Sequence, residues 1–107
     1  MITYNKLIRD KIPEIIEKTG KKYETRVLTN EEYDKALKKK LIEEAKELSE
    51  AKSDKEIIDE LADVKELFDT IRKNHDISMK QIEKRQKDKN ASNGAFEKRL
   101  FLIRTEK

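Results

Sequence analysis

The sequence predicts a mainly α-helical single domain. Its core is an antiparallel hairpin of two long helices that becomes a four-helix bundle when two copies associate, with short flanking helices and a small two-stranded β ribbon. Three observations carry this expectation. Thr29 with Glu32, and Ser53 with Glu56, are two capping-box patterns, each opening a long helical segment. Apolar residues recur in both segments at helical spacing. Of 107 residues only 35% are hydrophobic and 46% are charged, so the core is thin and a partner subunit would help a chain of this size bury more surface.

The elements follow in order. Residues 10–19 read as a short first helix, because Pro13 is allowed in a first turn, Ile12, Ile15 and Ile16 supply an apolar side, and Gly20 is a stop. Residues 23–28 (YETRVL) have the alternation and residue types of a strand. The hairpin helices run over residues 29–51 and from Ser53 to residue 74, with a tight turn between them. Ser78 opens a fourth helix through residue 89. The polar KNASNGAF then breaks the chain, and KRLFLI is a candidate second strand to pair with residues 23–28.

Charge is sorted along the chain. Residues 43–69 hold eleven acids against four lysines, whereas residues 1–27 carry seven bases against four acids and residues 72–107 eleven against five. Solvated helix faces account for such a pattern, and so does a metal-bound polyphosphate held by an acidic centre and basic ends. Cysteine is absent, which removes disulfides and thiolate metal sites. No signal peptide and no apolar run of membrane-spanning length is present, so the cytoplasm is the expected compartment. Bases interleaved with acids, and few aromatics, argue against a nucleic-acid surface. The single His75 is in the wrong place for the Glu-x-x-His pairs of a di-iron bundle and reads as structural.

The acids of the hairpin fall where the helices should be apolar. With Leu37 as zero and about 100° per residue, Glu44 lies near 340°, inside the arc that runs from Tyr33 and Ala51 near 320° through Leu37 to Leu48 and Leu41. With Ile57 as zero, Glu60 lies near 300°, about midway between Leu67 and Ile71. Glu47 and Asp63 are one turn from these, toward the edge of each stripe. Height agrees as well: measured from Ser53, Glu47 and Glu60 are about 9 and 10 Å along their arms, and Glu44 and Asp63 about 13 and 15 Å. Four carboxylates converging on a partly apolar interface persist only when paired or coordinating a cation. Oxygen ligands with no nearby histidine select magnesium or manganese. The structural alternative is an interfacial ion pair of Glu44 or Glu60 with Lys40 or another lysine.

Lys40-x-x-Glu43-Glu44-Ala45-x-Glu47 followed by Glu60-Leu61-Ala62-Asp63 resembles the all-α nucleotide pyrophosphohydrolases, the MazG-like and phosphoribosyl-ATP pyrophosphohydrolase group. The opening YNKLIRDKIPEII and the closing GAFEKRLFL are similar to its short stand-alone members, so the likeness spans nearly the whole chain. The resemblance implies hydrolysis of the α–β phosphoanhydride of a nucleoside triphosphate or related nucleotide, giving a monophosphate and pyrophosphate. A house-cleaning role and the phosphoribosyl-ATP step of histidine biosynthesis both fall within it. It implies magnesium, with manganese as substitute, held by Glu44, Glu47, Glu60 and Asp63. Glu43 or Glu47 would orient or deprotonate the attacking water, and Lys40 lies within reach of a phosphate.

Lys6, Arg9 and Lys11 near the start and Lys87 and Lys89 near the end are further candidates for phosphate contacts. The chain departs from the Arg-Gly-Gly-Phe ending of similar short members, having Asn93-Gly94-Ala95-Phe96. The missing arginine bears on phosphate grip and substrate preference. Phe96 is expected in the core rather than stacked on a base. A nucleotide substrate and a homodimer or higher homo-oligomer are the expected partners, with no membrane association. A non-catalytic helical interaction module is the alternative from another functional class.

Overall fold

In a computed structural model of the chain, which describes residues 2–107, the ordered elements are four helices: α1 (Ile12–Lys18), α2 (Asn30–Glu50), α3 (Asp54–Asn74) and α4 (Met79–Asn93). Two compact units are present, one ending at His75 and the other spanning Asp76–Lys107. The first holds α1 and the α2–α3 hairpin, in which the two long helices pack on one another.

Local chemistry sets the helix ends. At the start of α2 the Thr29 side chain accepts from the Glu32 N–H, and the Glu32 carboxylate accepts from the Thr29 N–H, which completes a capping box. Arg26 donates through both guanidinium nitrogens to the same carboxylate, at 3.0 and 2.7 Å. This bidentate pair holds Glu32 well below the ordinary carboxylate range, at about 2. Ser53 caps α3 by accepting from the Glu56 N–H. Glu56 reaches one residue further back than a capping box requires and accepts from the Lys52 N–H at 3.1 Å. Only residues 51–53 separate the long helices, and with so short a connection α3 returns antiparallel along α2. Ser78 and Gln81 form a full capping box at α4.

The apolar core is as thin as the composition implies. Among the described residues Leu37, 2% exposed, is the one fully buried hydrophobic side chain. Tyr33, Leu41, Leu48, Ile57, Val64, Leu67, Phe68 and Ile71 are half-buried around it. Leu61, expected on the inner arc of α3, is exposed together with Ile42 and Ile58. Polar ties therefore carry part of the pairing. His75 Nε2 lies 2.6 Å from Asp34 Oδ1, joining the end of α3 to the beginning of α2. The structural role expected of this histidine is met.

Three further expectations are corrected. No strand forms among the described residues, so the ribbon of residues 23–28 with KRLFLI does not exist. In the first segment Val27 is 96% exposed and Arg26 is committed to Glu32. In the second, Arg99 at φ 56 interrupts any extended run, and Leu100 to Ile103 are exposed. A strand without a ladder partner leaves its backbone groups to water and gains nothing from alternation. Helix α4 also runs four residues past its expected end and stops at Gly94, whose φ of 82 suits a residue without Cβ. Phe96, expected in the core, is 96% exposed just beyond that turn.

Because Leu37 is the one fully enclosed side chain among those described, Leu37→Ala should destabilise the protein by about 2–5 kcal/mol. Urea denaturation followed by circular dichroism measures this, and a truncation at exposed Ile58 should shift the midpoint far less.

Candidate active site

The hairpin brings its acids together. One ligand oxygen from each of Glu44, Glu60 and Asp63 can be chosen so that all lie within 4.8 Å of one another, and the same holds for Glu43, Glu44 and Glu47. Glu44 belongs to both groups and sits between them. It is 7% exposed, the one buried charged residue among those described. Its position follows from helical periodicity: seven residues after Leu37, two turns along the same face, it occupies the stripe that packs against α3. Glu60 and Asp63, one turn apart on α3, face it from the other arm.

These carboxylates are incompletely satisfied. Lys40, half-buried one turn before Glu44, places Nζ 3.4 Å from Glu43 Oε1 and 3.6 Å from Glu44 Oε1. The ion pair expected as the structural alternative is thus present, and it is shared between two acids. It leaves Glu44 Oε2 buried with no hydrogen-bond partner, and Glu60 Oε2 is in the same condition. Burial pushes Glu44 up to about 7, reinforced by Glu47, Glu60 and Asp63. Glu60 is raised as well, first by burial, with Glu47 and Asp63 adding repulsion.

Two orphaned carboxylate oxygens among five gathered acids are the kind of ligand a hard divalent cation takes, and such an ion would supply the missing positive charge. The chemistry of both groups, Glu43 with Glu44 and Glu47, and Glu44 with Glu60 and Asp63, suits a hard divalent cation. Nearer the turn, Glu47, Glu50, Ala51, Glu56 and Glu60 line a shallow hollow beside the cluster. Nothing in a Glu-x-x-Glu spacing separates Glu50 and Glu56 from ordinary solvated acids, so the sequence does not single them out.

The basic candidates are dispersed. Arg9 Nη2 lies 2.6 Å from Asp63 Oδ1, directly on the acidic cluster. Lys40 is engaged by Glu43 and Glu44. Lys6 stands over the Tyr4 ring, 5.7 Å from its centroid, and Lys11 is the exposed N-cap residue of α1. Lys87 and Lys89 are exposed on α4, in the second unit. The Asn93-Gly94-Ala95-Phe96 segment forms the end of α4 and the turn after it.

The raised Glu44 sets the sign of a pH effect. Between its ordinary value of 4.5 and about 7 the folded chain holds a proton that the unfolded chain releases. This contribution to stability is full at low pH and is lost as pH rises through 7. In chelator, the melting temperature should therefore fall from pH 5 to pH 8. Glu44→Gln should flatten the fall and be as stable as the parent or more so at pH 8, because Lys40 keeps Glu43 as partner.

No curated protein and no solved structure matched the chain. A model of the phosphoribosyl-ATP pyrophosphohydrolase family matches residues 2–90, most of its length and all of the hairpin. A match over that much of the chain shows that it belongs to the phosphoribosyl-ATP pyrophosphohydrolase family, whose members are hydrolases acting on phosphoanhydrides.

Proposed function

We propose that the chain hydrolyses the α–β phosphoanhydride of a nucleoside triphosphate or related nucleotide, releasing a monophosphate and pyrophosphate, with magnesium held by Glu44, Glu47, Glu60 and Asp63. The observation that carries this proposal is the pair of buried, partnerless oxygens on Glu44 and Glu60 within the carboxylate cluster. When bound, a divalent cation would neutralise phosphate charge and acidify the attacking water.

The acids are given distinct roles in this proposal. Glu43, whose Oε1 lies 3.4 Å from Lys40 Nζ, is assigned to orient the attacking water and accept its proton, with Glu47 as the alternative. Glu47, within reach of Glu44, is assigned to the metal. Lys6 and Lys11, exposed on either side of Arg9, are assigned to the phosphates of an incoming nucleotide. The family match favours one second reading, phosphoribosyl-ATP itself as the substrate. The exposed Ile42, Ile58 and Leu61 support association with a second copy into a four-helix bundle, and sedimentation velocity tests it.

The deciding experiment is a pyrophosphate-release assay across nucleoside triphosphates and phosphoribosyl-ATP, each with magnesium, manganese or chelator. Release of pyrophosphate rather than orthophosphate, only with metal, is expected for at least one substrate. No turnover of any of them would overturn the proposal. Glu43→Gln should lower kcat by at least about 100-fold while metal affinity is kept. Glu47→Gln and Glu60→Gln should weaken metal binding itself, measured by calorimetry.

A further inference from the structure

Arg9 makes a contact that a phosphate-binding role alone does not explain. Its Nη2 is 2.6 Å from Asp63 Oδ1, across 54 residues of sequence, and joins the segment before α1 to the hairpin. Both side chains remain open to solvent, Arg9 at 60% and Asp63 at 36%. Such an exposed pair contributes little stability and breaks easily. The backbone around it is better anchored, since the Arg9 carbonyl accepts from the Ile12 N–H at 3.1 Å and Leu7 and Ile8 are half-buried. The guanidinium can therefore leave Asp63 while its backbone stays in place.

We propose that Arg9 is a latch between the two charges the site must handle. In the metal-free chain it supplies the positive charge on Asp63. When the cluster takes up a divalent cation, Asp63 turns to the metal and the guanidinium, repelled by the added charge, is released at the mouth of the site. There it pairs with phosphate oxygens of the nucleotide, which its planar fork matches in bidentate fashion. The same side chain thus opposes metal binding and favours nucleotide binding. This inference rests on the proposal that Asp63 is a metal ligand.

The test uses the full chain and two binding readouts that need no turnover. Manganese affinity is measured by electron paramagnetic resonance for the parent, Arg9→Gln and Lys46→Gln, the last removing a charge from exposed Lys46 on α2. Affinity for an α,β-methylene nucleoside triphosphate is then measured at saturating magnesium. Arg9→Gln should bind manganese about two- to fivefold more tightly and the analogue about tenfold more weakly. Lys46→Gln should move the manganese affinity less than Arg9→Gln does.

Equal gains in the two variants would reveal a general charge effect and overturn the latch. Unchanged or weaker manganese binding by Arg9→Gln would overturn it too, by showing that Arg9 only positions Asp63. Unchanged analogue binding would overturn the phosphate half of the inference. Manganese binding by none of the proteins would instead overturn the metal proposal on which the latch rests.

Discussion

Carboxylates gathered inside a helical hairpin repel one another, and the rest of this small structure is arranged around that repulsion. Glu44 stands on the face of α2 that would otherwise continue the stripe of Leu37, Leu41 and Leu48. Its burial removes the water that would screen it from Glu60 and Asp63 on the opposite arm. The result is a carboxyl pushed up to about 7 and two oxygens with no partner. An apolar residue at either position would relieve the strain at once, so stability alone gives no reason for the acids. The proposed cation would supply one.

The surrounding structure supplies what the thin core does not. A three-residue connection and two well-capped helix starts set the register between α2 and α3, and the register is what makes the acids level with one another. At the far end of the hairpin, His75 with Asp34 closes the pair again. Between these ties Leu37 is the one fully buried hydrophobic side chain among those described. The hairpin is thus tied at both ends, packed along a half-buried apolar stripe and charged between them.

Positive charge is already distributed over the cluster. Lys40 divides itself between Glu43 and Glu44, and Arg9 occupies Asp63. Both are partial answers to the acidic centre, since they engage Glu43, Oε1 of Glu44 and one oxygen of Asp63 but leave the inner oxygens of Glu44 and Glu60 unpartnered. The sorting of acids to the middle of the chain and bases toward its ends has a local counterpart here. Part of the basic beginning folds back on the acidic centre and neutralises its rim.

The helices and the placement of the acids were legible in the sequence because both are local. A capping residue and its Glu three positions on, a 3.6-residue period, and equal distances from a turn place Thr29, Ser53, Glu44, Glu47, Glu60 and Asp63 without any knowledge of packing. The tertiary structure decided whatever depended on the choice among distant partners. Residues 23–28 had strand-like alternation, yet a strand forms only if another segment completes its ladder, and KRLFLI does not. Phe96 was apolar enough for a core, but no core reaches it. Arg9 and Lys40 read equally well as phosphate ligands or as partners for acids, since a side chain's charge is a property of the sequence and its counterion a property of the fold. Geometry and desolvation across 54 residues brought Arg9 to Asp63, and no periodicity or spacing in the chain encodes that encounter.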